Sequence, residues 1–384
     1  MAVLGLLPPC LSGQQATVTR QDWGEVDGQP VYLYTMTAPS GFTVKVTNYG
    51  CIVTEILVPD ASGNRIDVVL GFDNLDAYLK GHPYFGCIVG RHANRIAGGT
   101  FQLDGETHQL AKNNGPNHLH GGPNGFHKHV WDSESYVDAN GHTVLKLSRL
   151  SPDGEEGYPG NLQVNVSVSM PPAGIFHDRS VFSIAYEATT DQATPVNLTH
   201  HPYVNLNGAA SGEPVLNHVL RLEADAYNPV DRTLIPTGIE PVDGTPFDLR
   251  DPVRLHDVLS MDHPQLRIGG GIDHNWVMRS QFMFNGAATF FSPQTGIAMR
   301  LSSTHRGFQI YSGQGLNGRY VGKGGVAYEQ YDGLVLEPQA FPDSPNQQHV
   351  ESYTSTFLKP GETYRESVIA EFTTGDPFND ARVP

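Results

Sequence analysis

The segment Leu162-Gln-Val-Asn-Val-Ser-Val-Ser-Met170 alternates apolar and polar side chains without interruption. Successive side chains of a β-strand point to opposite faces of its sheet, so this alternation predicts a strand with one buried face. Similar segments, rich in β-branched and aromatic residues and bounded by Gly, Pro, Asn or Asp, occur on both sides of it. We predict strands at residues 31–37, 42–47, 52–58, 68–72, 144–150, 162–170, 181–188, 219–224, 289–292, 297–302, 308–311, 334–337 and 367–372.

Helical patterns are scarce in the remaining sequence. Residues 74–79 and 253–259 each predict a helical turn or two, and no sustained period of 3.6 residues occurs. Because strands and helices do not alternate, a parallel α/β sheet is not expected. The segment Ser292-Pro-Gln-Thr-Gly-Ile297 predicts a hairpin connection. We therefore expect an all-β fold, a large antiparallel β-sandwich of two packed sheets with few short helices.

The chain shows no linker-like change of composition and no repeat of fixed period, so we expect residues 21–384 to form a single domain. Residues 1–20 are expected to be a flexible tail or the remnant of a signal peptide. The apolar residues 1–11 lack the basic region of a secretory signal. We expect a cytoplasmic protein, with export as the alternative.

The overall composition excludes several classes of partner. A net charge of -16 and a pI near 5.4 argue against nucleic acid and favour a neutral ligand over an anionic one. The three cysteines are too few and too scattered for a disulfide framework. No apolar stretch has the length of a transmembrane helix, so no membrane contact is expected.

The first polar segment, Gly90-Arg-His-Ala-Asn-Arg-Ile96, follows an apolar run. Asn94 and Arg95 offer several hydrogen-bond donors to ligand oxygens. The alternative is a structural arginine that pairs with a carboxylate or caps a loop.

The second polar segment, Asn113-Asn-Gly-Pro-Asn-His-Leu-His-Gly-Gly122, places two histidines beside paired glycines. The glycines indicate a place where the backbone approaches a ligand closely. His118 and His120 could instead bind zinc, but no Cys, Asp or Glu at a suitable spacing completes a zinc motif. We expect no metal; the competing interpretation is a surface histidine without a role.

The third segment, Asn197-Leu-Thr-His-His-Pro-Tyr-Val-Asn-Leu206, carries adjacent histidines. Histidine transfers protons near neutral pH because its reference pKa is ~6.5. His200 and His201 face opposite sides of a strand, so we expect at most one of them to reach a given substrate atom. Otherwise one would be a core histidine and the other an exposed one.

Two carboxylates complete the candidate residues. Asp273 lies in the segment Gly269-Gly-Gly-Ile-Asp-His-Asn-Trp276. Its carboxylate could bind a sugar hydroxyl beside an aromatic ring, or Asp273 could simply be a turn residue. Glu337 ends the apolar strand Leu334-Val-Leu-Glu337, where partial desolvation would raise its basicity. Burying a Glu side chain at such a position costs free energy unless the carboxylate is paired or has a functional role.

Other catalytic motifs are absent from the sequence. Neither the Gly-x-Ser-x-Gly elbow of serine hydrolases nor a Walker loop occurs. A serine hydrolase is therefore not supported.

Taken in order, these segments resemble the aldose 1-epimerases, also called galactose mutarotases, and the resemblance covers residues 31–372. The segments that carry it are Asn48-Tyr-Gly50, Gly90-Arg-His-Ala-Asn-Arg-Ile96, Leu119-His-Gly-Gly122, Glu156-Gly-Tyr-Pro-Gly160, Asn197-Leu-Thr199 with His201 and Tyr203, Asp273-His-Asn275 and Leu336-Glu-Pro-Gln339. The resemblance implies a many-stranded β-sandwich with a sugar in an open cleft and no cofactor or metal. It implies interconversion of the α and β anomers of free hexoses such as galactose or glucose.

The same resemblance implies residue roles. Glu337 matches the general base of the family and His201 its general acid, and we expect the two on opposite sides of the substrate. The positions that match sugar contacts are Asn94, Arg95, His120, Asp273 and Gln309. Tyr158 is expected near the cleft. The expected partner is a small sugar, bound by a monomer or a homodimer.

The chain departs from many relatives at three positions. His200 stands where Asn or Gln is common, Pro202 where Ser or Thr is common, and Val204 where an aromatic residue is usual. These departures bear on sugar preference more than on the reaction.

Three other functions stay open at this point. A hexose-6-phosphate 1-epimerase would need extra cations around the cleft, for which Arg91, Arg306 and Lys323 are candidates. A non-catalytic sugar-binding module would not need both proton-transfer groups. A β-sandwich hydrolase or lyase could use Asp273 and Glu337 as its carboxylate pair.

Overall fold

The computed structural model describes residues 13–176, 179–279 and 286–379. Its first fourteen strands are β1 (Thr17–Val26), β2 (Gln29–Thr37), β3 (Thr43–Thr47), β4 (Val53–Pro59), β5 (Arg65–Asp67), β6 (Ile88–Val89), β7 (Arg95–Ile96), β8 (Thr100–Leu103), β9 (Glu106–Gln109), β10 (His118–Leu119), β11 (Asp132–Val137), β12 (Thr143–Ser151), β13 (Leu162–Met170) and β14 (Ser180–Thr190). The next fourteen are β15 (Thr194–Pro195), β16 (Thr199–His200), β17 (Tyr203–Val204), β18 (Val219–Leu222), β19 (Ala224–Asn228), β20 (Glu240–Pro241), β21 (Val253–Arg254), β22 (Asp273–Met278), β23 (Gly286–Phe291), β24 (Ile297–Ser303), β25 (Gly307–Tyr311), β26 (Leu334–Gln339), β27 (Phe357–Leu358) and β28 (Tyr364–Thr374).

Three sheets account for most of these strands. A five-stranded sheet runs in the order β1-β2-β3-β4-β5, and a nine-stranded sheet in the order β11-β12-β13-β14-β28-β24-β23-β18-β21. A six-stranded sheet has the order β17-β26-β25-β22-β19-β20. Neighbouring strands in these sheets pair antiparallel. The expected antiparallel β-sandwich is confirmed, although three large sheets build it where two were expected.

The alternating segment at 162–170 forms β13 as predicted. Leu162, Val164, Val166, Val168 and Met170 are all buried, and the residues between them are at least partly exposed. Complete burial of one such side chain contributes about 1.5–3 kcal/mol. The buried face of β13 belongs to a hydrophobic cluster that also contains residues of the five- and six-stranded sheets. This shared core holds the layers together.

The predicted strand at 68–72 is wrong, because its backbone divides its hydrogen bonds between two sheets. Val68 donates its N–H to the carbonyl of Ile56 in β4, whereas Leu70 donates to the carbonyl of Tyr203 in β17. Only Val69 makes a bridge, to Val204. The segment therefore joins the five-stranded sheet to the six-stranded sheet instead of extending either one.

The N-terminal boundary also differs from the expectation. Strand β1 begins at Thr17, so the expected end of the tail at residue 20 falls inside a strand. Most side chains of β1 are exposed, which removes the alternation that would have revealed it. Its order comes from backbone pairing with β2, in a register that sets Thr17 opposite Thr37. The rest of the expected tail, residues 1–12, lies outside the described residues.

Short helices and turns complete the fold. The two predicted helical segments contain α1 (Leu75–Leu79) and α2 (Leu255–Leu259), and α3 (Pro264–Gly269) was not predicted. The predicted hairpin is present between β23 and β24, where Ser292 donates its N–H to the carbonyl of Ile297 at 3.0 Å. In the described part of the chain, no helix has both the length and the apolar character needed to cross a membrane.

Candidate active site

Two cross-strand rows of the six-stranded sheet position the candidate residues. In an antiparallel sheet, residues directly opposite each other share a face. The register sets Glu337 of β26 opposite Gln309 of β25, and Gln309 opposite Asn275 of β22. In the adjacent row, Tyr311 of β25 lies opposite Asp273 of β22. Residues distant in sequence are thus brought onto one sheet face.

A cavity of about 360 Å³ opens above this face. Loops from the other layers complete its wall. Six of the seven residues predicted for the site line it: Asn94, Arg95, His120, His201, Asp273 and Glu337. The seventh, Gln309, is buried and does not line the cavity.

Glu337 and His201 lie next to each other in this cavity. His201 Nε2 is 3.6 Å from Glu337 Oε1, and the two residues are only 4% and 2% exposed. Their remaining polar atoms, Glu337 Oε2 and His201 Nδ1, have no hydrogen-bond partner among the described residues. The sequence led us to expect an acid and a base on opposite sides of a substrate; instead, both groups belong to the same wall.

Burial shifts both groups toward their neutral forms. Desolvation raises the pKa of Glu337 well above its usual value; the negative charge of Asp273 adds to this effect and Arg95 opposes it. Desolvation lowers the pKa of His201 to about 3. The site therefore disfavours a carboxylate and an imidazolium alike.

Asp273 is held in place by two donors. Gln309 Nε2 donates to Asp273 Oδ1 at 2.6 Å, and Arg95 Nη2 lies 3.3 Å from Asp273 Oδ2. Arg95 is itself fixed, because its Nε donates to Asn114 Oδ1 at 2.9 Å. Gln309 thus orients the aspartate, although it does not itself line the cavity.

His120 presents a defined ring atom to the cavity. Its Nδ1 accepts a hydrogen bond from the backbone N–H of Asn94 at 3.2 Å. The backbone N–H of His120 donates to the Asn94 carbonyl at 3.1 Å. Burial, followed by the neighbouring His201, lowers the pKa of His120, so the ring is neutral. A neutral ring that accepts at Nδ1 carries its proton on Nε2, which makes His120 a donor to the cavity.

The same tautomer bears on metal binding. One candidate ligand atom from each of His120, His201 and Glu337 lies within 4.8 Å of the other two. The sequence offered no such third ligand, because Glu337 is remote in the chain. A metal would need a lone pair on Nε2 of His120, but that nitrogen carries the proton. The donor set fits a metal poorly, and the absence of a metal cofactor stays a prediction.

Tyr84 and Tyr311 also line the cavity, and the sequence did not single them out. The ring of Tyr84 lies 4.7 Å from that of His120 and 5.6 Å from that of His201, measured between centroids. Tyr84 has a φ of 64°, a left-handed conformation that no periodic pattern reveals. Tyr311 could have been predicted from the sequence, because it lies two residues beyond Gln309 and therefore on the same strand face.

Three expectations about neighbouring motifs need correction or refinement. His200 points away from the cavity, with its Nε2 3.1 Å from the Gly86 carbonyl, so only His201 reaches the site. Gly121 approaches backbone rather than a ligand, because a Cβ there would meet the Gly90 carbonyl oxygen at 1.8 Å. Tyr158 is buried outside the wall.

Tyr158 and His118 form a buried pair beside the site. His118 Nδ1 lies 2.7 Å from the Ala111 carbonyl, which only accepts, so Nδ1 carries the proton. Nε2 of His118 must then accept from the Tyr158 hydroxyl, at 2.7 Å. Through β10, which pairs with β7, this contact supports the backbone of both His120 and Arg95.

The three cations considered for a phosphate group lie elsewhere. Arg91 donates to the carbonyls of Pro159 and Gly160, and Lys323 pairs with Asp67. Arg306 donates to Thr354. None of the three lines the cavity.

Comparisons with known proteins identify the family of this chain. The family model Aldose 1-epimerase matches residues 32–371. Galactose mutarotase of Homo sapiens is 41% identical over 93% of this chain and 99% of its own length, and aldose 1-epimerase of Escherichia coli strain K12 is 36% identical over 90% and 96%. The crystal structure of galactose 1-epimerase from Lactobacillus acidophilus NCFM superposes with a TM-score of 0.80 at 28% identity, covering 94% of this chain and 100% of that one. The chain belongs to the aldose 1-epimerase family.

Proposed function

We propose that this aldose 1-epimerase interconverts the α and β anomers of free hexoses such as galactose and glucose, with Glu337 as general base and His201 as general acid. The observation that carries the proposal is the 3.6 Å separation of His201 Nε2 and Glu337 Oε1. The two oxygens that exchange protons, the C1 hydroxyl and the ring oxygen, are bonded to the same carbon. An adjacent base and acid on one wall match that arrangement.

The proposed reaction begins when the Glu337 carboxylate takes the proton of the C1 hydroxyl. The bond between C1 and the ring oxygen breaks, its electron pair moves to the ring oxygen, and that oxygen takes a proton from His201. The product is an open-chain aldehyde. Rotation about the C1–C2 bond presents the other carbonyl face, and the reverse transfers close the other anomer. Acid–base catalysis of this kind contributes ~10²–10⁴-fold.

Burial makes the neutral pair the resting state, so a proton must pass from Glu337 to His201 before the charged pair acts on the sugar. The site opposes charge on both groups, since it raises the pKa of Glu337 and lowers the pKa of His201 to about 3. Ring opening removes both charges, because Glu337 gains a proton and His201 loses one. The buried pair therefore stabilises the open-chain stage relative to the charged starting pair, while attraction across 3.6 Å partly offsets this effect.

The remaining wall residues would orient the sugar. Asp273 offers carboxylate oxygens to hydroxyl groups, and Arg95 and Asn94 offer donors. His120, with its proton on Nε2, would donate to a sugar oxygen. Gln309 would act by holding Asp273. Such positioning contributes to the rate in addition to proton transfer.

The direct test is polarimetry of freshly dissolved α-galactose with Glu337→Gln. We expect a loss of at least ~10²-fold in kcat/KM with unchanged thermal stability, because the amide cannot take a proton. A variant as fast as the unmodified protein would remove Glu337 from the role of base.

Phosphorylated hexoses are the second candidate substrates. Within the described residues, Arg95 is the only Lys or Arg that lines the cavity, and it already pairs with Asp273. This supports free sugars over sugar phosphates. Comparison of anomer-exchange rates on glucose and glucose 6-phosphate separates the two, and a faster rate on the phosphate would reverse the choice.

A binding module and a hydrolase are less well supported. A binding module would not need a buried acid–base pair. A hydrolase needs a second carboxylate for the bond it cleaves, and both oxygens of Asp273 already have partners. Release of a monosaccharide from an oligosaccharide, without anomer exchange, would favour the hydrolase.

Location, assembly and domain organisation are proposed on separate grounds. We propose a cytoplasmic enzyme, monomeric or dimeric, that binds neither nucleic acid nor membranes. Cys51 and Cys87 are buried free thiols, as a reducing compartment allows. One hydrophobic cluster contains residues from Ala16 to Phe372, which supports a single domain. Cell fractionation, light scattering and limited proteolysis test these three points.

A further inference from the structure

A second cavity lies behind the segment that follows Glu337. Its volume is about 350 Å³, close to the 360 Å³ of the cavity that holds Glu337 and His201. Its wall combines Ala340 and Phe341 with the segment from Thr354 to Phe357, at the start of β27. Neither Glu337 nor His201 belongs to this wall. We propose that the second cavity is a non-catalytic binding site for a neutral sugar.

The wall contains both aromatic and polar side chains. Phe357 is partly exposed and offers an apolar surface, Phe341 is buried within the wall, and Arg306 and Glu366 offer hydrogen bonds. A pyranose has the same dual character, with C–H groups on its faces and hydroxyls around its edge. Apolar walls with a few placed polar groups are the usual makeup of small-molecule sites.

Arg306 is oriented by its neighbours. Its Nη1 donates to Thr354 Oγ1 at 2.7 Å, and its Cζ lies 5.9 Å from the centroid of the Phe341 ring. A planar guanidinium fixed beside an aromatic ring can donate to adjacent hydroxyls of one ligand.

The charge of the wall favours a neutral ligand. Arg306 contributes one positive charge and Glu366 one negative charge. Glu366 accepts a hydrogen bond from the hydroxyl of Thr304, which also lines the cavity. With both signs present, an anion or a cation would meet a like charge, whereas a polyhydroxylated ligand can donate to Glu366 and accept from Arg306.

Thr356 supplies an independent observation. It is 8% exposed, and its hydroxyl has no hydrogen-bond partner among the described residues. Buried hydroxyls are nearly always partnered, so this one needs an explanation. Thr356 lines the cavity with its Oγ1 covered, so a hydroxyl of a bound sugar would satisfy it after a rotation of the Thr356 side chain.

Hydrogen bonds connect the second cavity to the segments that carry the catalytic residues. Asn197 accepts from the Ala340 N–H at 2.9 Å and donates to the Ala93 carbonyl at 3.2 Å. Tyr364 accepts from the Leu198 N–H at 3.1 Å. The second cavity is therefore attached to the segments that carry His201 and Glu337, although its ligand would touch neither side chain.

The test uses methyl β-galactoside, whose anomeric carbon is locked and which the enzyme cannot convert. Asp273→Ala in the full chain disables binding in the catalytic cavity, and calorimetry then reports the second cavity alone. We expect one bound galactoside per chain. Adding Arg306→Leu should weaken its affinity ~10-fold, the loss of one hydrogen bond to a charged group.

Thr356→Val is the milder variant, and Thr189→Val, at an exposed strand position, is its matched control. Thr356→Val removes a hydroxyl without a partner, so its melting temperature should stay equal or rise while galactoside affinity falls. Thr189→Val should change neither. Absence of galactoside binding to the Asp273→Ala chain, or binding unchanged by both Arg306→Leu and Thr356→Val, would overturn the proposal. Both outcomes are independent of the role of Glu337.

Discussion

The catalytic cavity and the second cavity have nearly the same volume, about 360 and 350 Å³, but they differ in chemistry. Each contains a buried histidine, His201 in one and His305 in the other. His201 faces a carboxylate at 3.6 Å, whereas His305 contacts the hydroxyls of Ser303 and Tyr364. Space and hydrogen-bonding groups are enough to hold a sugar. Proton transfer needs in addition a base and an acid that share one reaction centre.

The largest expected effect separates these two histidines. His201→Asn should lower kcat/KM for anomer exchange by ~10²-fold or more, because the acid is lost. His305→Asn should keep most of the activity, since it touches no catalytic group. His200→Asn should retain more activity than His201→Asn. Polarimetry on α-galactose measures all three variants. A greater loss of kcat/KM for His200→Asn or His305→Asn than for His201→Asn would mean that His201 is not the acid.

The next effect concerns how the catalytic wall is supported. Gln309→Leu removes the 2.6 Å hydrogen bond to Asp273. A hydrogen bond to a charged group contributes about 1.5–3 kcal/mol, so we expect KM for galactose to rise ~10-fold or more. Because the Gln309 side chain donates its hydrogen bond to Asp273 and not to Glu337 or His201, kcat should change less than KM. A fall in kcat with KM unchanged would contradict a positioning role.

A third prediction concerns two histidines that are buried in the protein but line neither cavity. Burial lowers the pKa of His92 and of His218 to about 3. Below the unfolded-state pKa of ~6.5 the unfolded chain binds protons that the folded chain does not, so stability falls as pH falls. Each group should cost ~1.4 kcal/mol per pH unit between about 6.5 and 3.

Urea unfolding at pH 7.5, 6.0 and 5.0 measures this loss. His218→Gln should reduce the slope of stability against pH below 6.5, because the amide does not titrate. An unchanged slope would mean that the ring of His218 is not held neutral in the folded state.

The smallest expected effect comes from Tyr158, which supports the catalytic cavity from outside. Tyr158→Phe leaves His118 Nε2 without its donor, and an unsatisfied buried group costs about 1–3 kcal/mol. We expect lower thermal stability and a few-fold rise in KM, with kcat little changed. Affinity for methyl β-galactoside at the second cavity should not change. A loss of kcat comparable to that of His201→Asn would place Tyr158 in the chemistry instead.

The fold was largely predictable because burial leaves a mark on the sequence. Strand β13 shows its buried face at every second residue, and the hairpin at Ser292 is marked by its turn residues. Strand β1 was missed because its side chains are mostly exposed and backbone pairing alone orders it. The strand predicted at 68–72 failed because an apolar run does not specify which sheet its backbone joins.

The candidate site was predictable in its residues but not in its geometry. Motifs identified His201 and Glu337, but their proximity depends on strand register and loop placement, which no local pattern encodes. The contact of Gln309 with Asp273 follows from the pairing of β22 with β25. Tyr84 left no signal, since its position rests on a single left-handed backbone conformation.

The most direct test of the acid–base pair is a double-mutant cycle on kcat/KM for galactose anomer exchange. Glu337→Gln, His201→Asn and the double variant are compared by NMR exchange spectroscopy, which reads both anomers at equilibrium. Residues that act as one unit are strongly non-additive, so the double variant should be about as slow as the slower single variant. If the two losses multiply, Glu337 and His201 act independently and the shared proton-transfer mechanism is wrong.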